Sequence, residues 1–287
     1  MRAPNEKKCR NRRKAPMLSL LVGVVAPAAI QLSRGQLLAG LGGCVAAVPF
    51  ACEAYARAPP SWRASELPRL ALDDGRSDEV VIVLHGAGGP DANTRRIAEA
   101  LEKTSSKGAR VIEYVYAPYV GDQLQAPFNA MRVGDHLAEE LAKAAASPKR
   151  VHVVGVSVGA FAADRLASRL AASGKCEQVR LTLLDPFTAR GILGLARPES
   201  AYGVTEFGRS PGVRCESVFN RDDPVPSTNL PLRHAVNFDI TEAAERGRFT
   251  PLPGDNLHSW PAAWFGMHPT DLDGALSLAV GSVTSIK

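Results

Sequence analysis

The chain has 287 residues, of which 45% are apolar and 22% charged, proportions of an ordinary globular protein with room for one large domain. Its formal charge of +5 sits at one end, since residues 1–56 net +6 and the remainder nets −1. A basic face with interleaved aromatics is therefore excluded, and no nucleic-acid partner is expected.

In chain order, the first feature is a leader. A basic stretch at residues 7–14 precedes an apolar run at 17–30, a polar break at 31–36 and a second apolar run at 37–51. Neither run reaches the roughly 20 residues that span a bilayer. Ala54-Tyr55-Ala56 then offers small residues where a signal peptidase reads. The expectation is an export signal cleaved after Ala56 and a periplasmic or secreted mature protein. Membrane association, if any, would run through this leader only. Residues 33–38 resemble a twin-arginine signal without its second arginine. Leu41-Gly42-Gly43-Cys44 resembles a lipobox, which would place a lipid anchor on Cys44.

Residues 57–77, rich in Pro, Arg and Ser, read as a linker, and 78–287 as one catalytic domain. The unbroken β-branched run at 79–84 has the pattern of a strand buried on both faces. Ile97 and Leu101, four apart, predict a helix over 94–103 capped by Asn93 or Thr94. A strand follows at 111–116. Ala130, Val133, Leu137, Leu141 and Ala144 share one face of a long helix that ends at Ser147-Pro148. Residues 150–156 read as a strand and 158–172 as a helix stopped by Gly174. Three more strands are expected at 178–184, 214–219 and 234–240, then helical turns within 261–280. Such alternation predicts an α/β fold with a mostly parallel central sheet and helices on both faces. The stretch 186–212 has weak periodicity and two glycine-rich patches, and is a candidate lid.

Cys9, Cys44 and Cys52 fall in the leader, which leaves Cys176 and Cys215. They lie nine residues before Asp185 and eight before Asp223, two aspartates that close neighbouring strands. Adjacent strands run about 4.8 Å apart. That similarity of position predicts a Cys176–Cys215 disulfide in an exported chain.

The chemistry centres on Gly155-Val156-Ser157-Val158-Gly159. The pattern is short, but here a buried strand ends on it and an alanine-rich helix begins from it, the setting of a nucleophile elbow. Ser157 is the candidate nucleophile. A tetrahedral intermediate needs two N–H donors. Val158 would supply one, and the loop His85-Gly86-Ala87-Gly88-Gly89 the other, from Ala87 or Gly86. Of six histidines, His85 belongs to that loop, while His136 and His152 lie inside elements. His258, after the last strand, is preferred over His234 and His268 as the base. The acid is open between Asp185, which ends one strand, and the pair Asp222 and Asp223 after the next, with Asp223 favoured within the pair.

These motifs resemble the lipase and esterase branch of the α/β-hydrolase superfamily over most of residues 79–270. Leu183-Leu184-Asp185-Pro186 resembles the acid position of pancreatic-type lipases. Asp222-Asp223-Pro224-Val225-Pro226 resembles that of other esterases. His258-x-x-Pro261-x-x-Trp264-Phe265 is similar to the histidine segment of bacterial lipase-like proteins. The resemblance implies an α/β-hydrolase fold with a small cap or none. It also implies cleavage of a small-molecule or lipid ester through an acyl-enzyme, without metal or cofactor. A thioesterase, peptidase or acyltransferase on the same triad is the alternative, and a non-catalytic binding protein of this fold the second.

Overall fold

The computed structural model describes residues 66–70, 72, 77–120, 125–144, 147–188, 206–252, 255–270 and 284–286, the last three as backbone. The leader with its cleavage site and most of the candidate lid lie outside the described residues. No described helix is long and apolar enough to cross a membrane.

Seven strands form one sheet: β1 (Glu79–Leu84), β2 (Arg110–Tyr114), β3 (Arg150–Val156), β4 (Gln178–Leu184), β5 (Val213–Phe219), β6 (Val236–Asp239) and β7 (Thr284–Ile286). Their order is β2-β1-β3-β4-β5-β6-β7, with β7 antiparallel to β6 and every other pair parallel. The expected α/β architecture is present. The edge strand β7 was not foreseen, because three residues carry no periodic signal.

Among the described residues, four α-helices cover the sheet: α1 (Ala92–Thr104), α2 (Ala126–Lys143), α3 (Gly159–Ser173) and α4 (Trp260–Met267). The period of two in β1 sorts the core into two layers. Val80, Ile82 and Leu84 pack with Ala130, Val133 and Leu137 of α2 and with Phe161 and Leu166 of α3. Val81 and Val83 point the other way, toward Ile97 and Leu101 of α1 and Trp260, Trp264 and Phe265 of α4. Leu67 and Leu70 also enter the first layer, and the Tyr114 hydroxyl donates to the Pro68 carbonyl at 2.7 Å.

The start of α1 differs from expectation. Asp91 is its N-cap, and the Asp91 and Thr94 side chains each accept the other's backbone N–H, at 2.7 and 2.8 Å. Thr94 therefore closes a capping box from inside the helix. Strand β6 is shorter than expected, and His234 lies ahead of it, paired with Glu206.

The expected Cys176–Cys215 disulfide is absent, and both cysteines are free. Strand register is the reason. Leu181 pairs with Cys215 and Leu184 with Val218, so Cys176 stands five residues upstream of the Cys215 level. Five extended residues cover roughly 16 Å, while bridged Cα atoms lie within about 7 Å. The Cys215 sulfur packs instead against Gly208, where a Cβ would come within 2.6 Å of it.

Chain order reverses between β1 and β3, since β1 leads to β2 on one side and the chain returns to β3 on the other. In open parallel sheets the crevice at the carboxyl ends of such strands is where ligands bind. Leu84 pairs with Gly155, which sets residues 85–86 beside 156–157 at that crevice.

Candidate active site

Ser157 is the first of two residues in the corner between β3 and α3, with φ of 53°, in the left-handed region that side chains avoid. Backbone bonds hold it there. Its N–H donates to the Leu184 carbonyl at 3.0 Å, and its carbonyl accepts from Ala160 and Phe187, each at 3.1 Å. The flanking glycines are required by space. A Cβ on Gly155 would stand 2.7 Å from Ala163 Cβ, and one on Gly159 2.6 Å from the carbonyl oxygens of Leu84 and His85. Left-handed strain on a non-glycine residue costs on the order of 1–3 kcal/mol and persists where the surroundings over-determine it.

The facing loop is anchored by His85, which is buried. Its Nδ1 contacts the Gly86 carbonyl at 2.8 Å, and its Nε2 accepts the Tyr116 N–H at 2.9 Å. That pattern defines the neutral Nδ1–H tautomer. Burial lowers the His85 pKa, in agreement. The Tyr116 hydroxyl donates to the His85 carbonyl at 2.6 Å, and the two rings stack at 4.1 Å. His85 is thus a structural anchor. Gly86 follows it, and a Cβ there would lie 3.1 Å from Ser157 Cβ. Sequence reading missed Tyr116, whose only signal is a tyrosine just past the strand beside the glycine loop.

His258 lies in a 3-10 turn (Leu257–Ser259) ahead of α4, its N–H donating to Asn256 Oδ1 at 2.8 Å. Its Nδ1 meets Asp223 Oδ2 at 2.5 Å, and its Nε2 is buried without a hydrogen-bond partner among the described residues. With the Nδ1 hydrogen directed at Asp223, the neutral ring leaves a lone pair on Nε2. Asp223 also accepts from the Val225 N–H at 2.8 Å and the Thr228 hydroxyl at 2.5 Å. Burial alone would raise the Asp223 pKa, but these bonds and His258 bring it below the usual carboxylate range. No motif marks Thr228.

The other sequence candidates separate. Asp185 Oδ2 lies 3.8 Å from His258 Nδ1, and its Oδ1 accepts the Asn220 N–H at 3.0 Å. Asp222 is exposed, and its N–H donates to Asn220 Oδ1. His152 is buried against Thr182, and His268 contacts Glu245. Asp185, Asp223 and His258 place ligand-type atoms within 4.8 Å of one another, a spacing that metal sites also use. Here the His258–Asp223 contact is a direct hydrogen bond.

Ser157, Val158, Gly86, Ala87 and His258 line one cleft of about 430 Å³. Phe187, Val225 and Ala262 give it apolar walls, and Asp91 and Asp255 stand at it as exposed carboxylates. A hydroxyl, an imidazole with a bare nitrogen, and a glycine-rich loop facing a helix N-terminus together suit attack on a polarised carbonyl.

Strand order, elbow and histidine–carboxylate pair define an α/β-hydrolase-type fold carrying a His–Asp cluster of the kind hydrolytic enzymes use. No family model and no curated protein matches the chain. Among solved structures it is similar to an α/β hydrolase from a Medee basin deep-sea metagenome library, at 16% identity and TM-score 0.32 over 54% of this chain and 61% of that one. It is similar to Aspergillus fumigatus lipase B at 16% identity and TM-score 0.35, over 80% of this chain and 55% of the lipase. Thermogutta terrifontis esterase 2 matches at 11% identity and TM-score 0.36, over 60% and 76%. At such scores the fold rests on the strand order and elbow described above.

Proposed function

We propose that this chain is a serine hydrolase that cleaves carboxylic esters through an acyl-enzyme. One observation carries the reading: a serine in strained left-handed geometry shares a cleft with a histidine whose Nδ1 is bonded to Asp223 and whose Nε2 is bare. In this reading Ser157 Oγ attacks the ester carbonyl carbon while His258 Nε2 takes its proton. The oxyanion is held by the N–H groups of Val158 and Ala87, or Gly86 in place of Ala87. Collapse expels the alcohol, which receives the proton from His258. Water then attacks the acyl-enzyme by the same relay and frees the acid and Ser157. Asp223 keeps the ring in the productive tautomer and stabilises the imidazolium.

The test is labelling with a fluorophosphonate. Wild type is expected to be modified at Ser157, with loss of hydrolysis across a panel of esters, while Ser157→Ala is expected to stay unlabelled and to lack that hydrolysis from the outset. Unlabelled wild type, or equal labelling of Ser157→Ala, would sink the proposal. A panel with thioesters and amides beside oxygen esters decides the substrate class. Export rests on the leader alone and is tested by sequencing the mature N-terminus, expected at Arg57. A start upstream of residue 40 would defeat it.

A further inference from the structure

Asp185 takes no part in the proton relay above, yet it is only 1% exposed and holds a left-handed φ of 41° beside the catalytic pair. Its two oxygens differ. Oδ1 accepts the Asn220 N–H at 3.0 Å. Oδ2 is sealed from solvent, and no N–H or O–H group among the described residues donates to it. Among the His, Cys, Asp and Glu side chains of the described residues, Asp223, from the turn after β5, and His258, from the turn before α4, place atoms within 4.8 Å of it. His258 Nδ1 carries one hydrogen, and Asp223 Oδ2 takes it at 2.5 Å, against 3.8 Å to Asp185.

A buried anionic oxygen with no donor, beside a second carboxylate, is among the most costly arrangements in a protein. The cost is removed when Oδ2 carries a proton, because the oxygen then becomes a donor. An acceptor is at hand. A carboxylate offers about four lone-pair positions. Asp223 uses three, for Val225, Thr228 and His258. Burial first, and the Asp223 charge second, raise the Asp185 pKa well above its ordinary value, while that of Asp223 moves down. Two carboxyls whose environments drive them apart in this way divide into an acid and an anion.

We propose that Asp185 is a positioning residue, held as a neutral carboxylic acid whose O–H donates to Asp223 and so steadies the carboxylate that orients His258. The proposal rests on the reading of Ser157, His258 and Asp223 as the catalytic groups. It assigns the two aspartates different protonation states at the same site: Asp223 is the anion that faces the imidazolium, and Asp185 is the neutral donor behind it. The arrangement also accounts for both carboxyls at once.

Infrared spectroscopy of the resting protein near neutral pH tests the protonation state directly. Wild type is expected to show a carbonyl stretch of a buried neutral carboxyl that shifts in D2O and is missing from Asp185→Asn. Identical spectra for the two would overturn the proposal. This band is read without turnover, so it fails or holds separately from the ester reading, which labelling decides. The kinetic arm compares two substitutions. Asp185→Asn keeps an N–H for Asp223 and a carbonyl for the Asn220 N–H, and is expected to stay within about threefold of wild type in kcat. Asp185→Ala removes the donor to a charged acceptor and is expected to lower kcat by roughly 10- to 100-fold with little change in KM. A loss of about a thousandfold or more in Asp185→Asn would show that the ionised form is required, and would overturn the proposal.

Discussion

His258 Nδ1 and Asp223 Oδ2 meet at 2.5 Å across 35 residues of sequence. The contact joins the turn after β5 to the turn before α4, so it exists only once β5 and α4 are both in place. Of the three candidate aspartates, Asp223 is the one hydrogen-bonded to His258, which lines the same cleft as Ser157.

Replacing that acid is the first expectation. Asp223→Asn is expected to lower kcat by roughly 10⁴-fold with KM nearly unchanged, because an amide at that place favours the wrong tautomer. Asp222→Asn, at an exposed carboxylate, is expected to match wild type. Thr228→Val, which removes one hydroxyl from Asp223, is expected to cost about 10-fold in kcat. Steady-state kinetics on one ester decides all three, and unaltered kcat in Asp223→Asn would exclude it as the acid.

Backbone strain at Ser157 gives a stability prediction. Glycine accepts φ of 53° without the side-chain penalty. Ser157→Gly is expected to be inactive yet more stable than wild type by about 1 kcal/mol, raising Tm by roughly 2–4 °C. Thermal denaturation checks the sign, and a lower Tm would mean that the side chain contributes more than the corner costs.

Rigidity of the glycine loop is tested through its anchor. Tyr116→Phe removes the hydroxyl that holds the His85 carbonyl at 2.6 Å. It is expected to lower stability by about 1–2 kcal/mol and kcat by roughly 10-fold. Gly86→Ala places a methyl 3.1 Å from Ser157 Cβ and is expected to depress kcat with less effect on overall stability. Denaturant titration beside kinetics separates the two. Equal losses of stability would argue that both act on folding alone.

Stability should also depend on pH through Asp164. This residue accepts the Gly208 N–H at 2.7 Å, and burial raises its pKa to about 6. A raised carboxyl pKa stabilises the fold at acid pH, and the contribution is lost as pH rises through about 6. Asp164→Asn keeps an acceptor without the charge. It is therefore expected to gain on wild type, by on the order of 1 kcal/mol, at pH 8 but not at pH 4. Phe207 packs edge-on against Phe161 of α3 beside this contact, at 5.1 Å. Limited proteolysis near residue 206 should report the same pH dependence, and a gain equal at both pH values would refute the assignment.

The elements that sequence alone determined are those whose physics is local. Apolar patterns placed six of the seven strands and three of the four described helices to within a few residues, and the last helix only as helical turns somewhere within 261–280. The serine corner was legible because a glycine–serine–glycine turn between a buried strand and an alanine-rich helix has few other uses. His258 is preferred because His85 belongs to the glycine loop, His136 and His152 lie inside elements, and the sequence sets His234 at the start of a strand and His268 close to the final helix. Tyr116 and Thr228 left no trace, since each acts on a partner that adjacency in sequence does not reveal.

What only the tertiary structure decided turns on one offset. Counting residues back from Asp185 and Asp223 assumed that these two aspartates stand level. In the sheet Leu184 pairs with Val218, so Asp185 stands level with Phe219, and Asp223 comes four residues later on a turn that folds back toward it. That offset separates Cys176 from Cys215, and it puts Asp223, rather than Asp185, against His258. Register between strands is set by how two apolar faces pack, a property of the pair that neither strand carries alone.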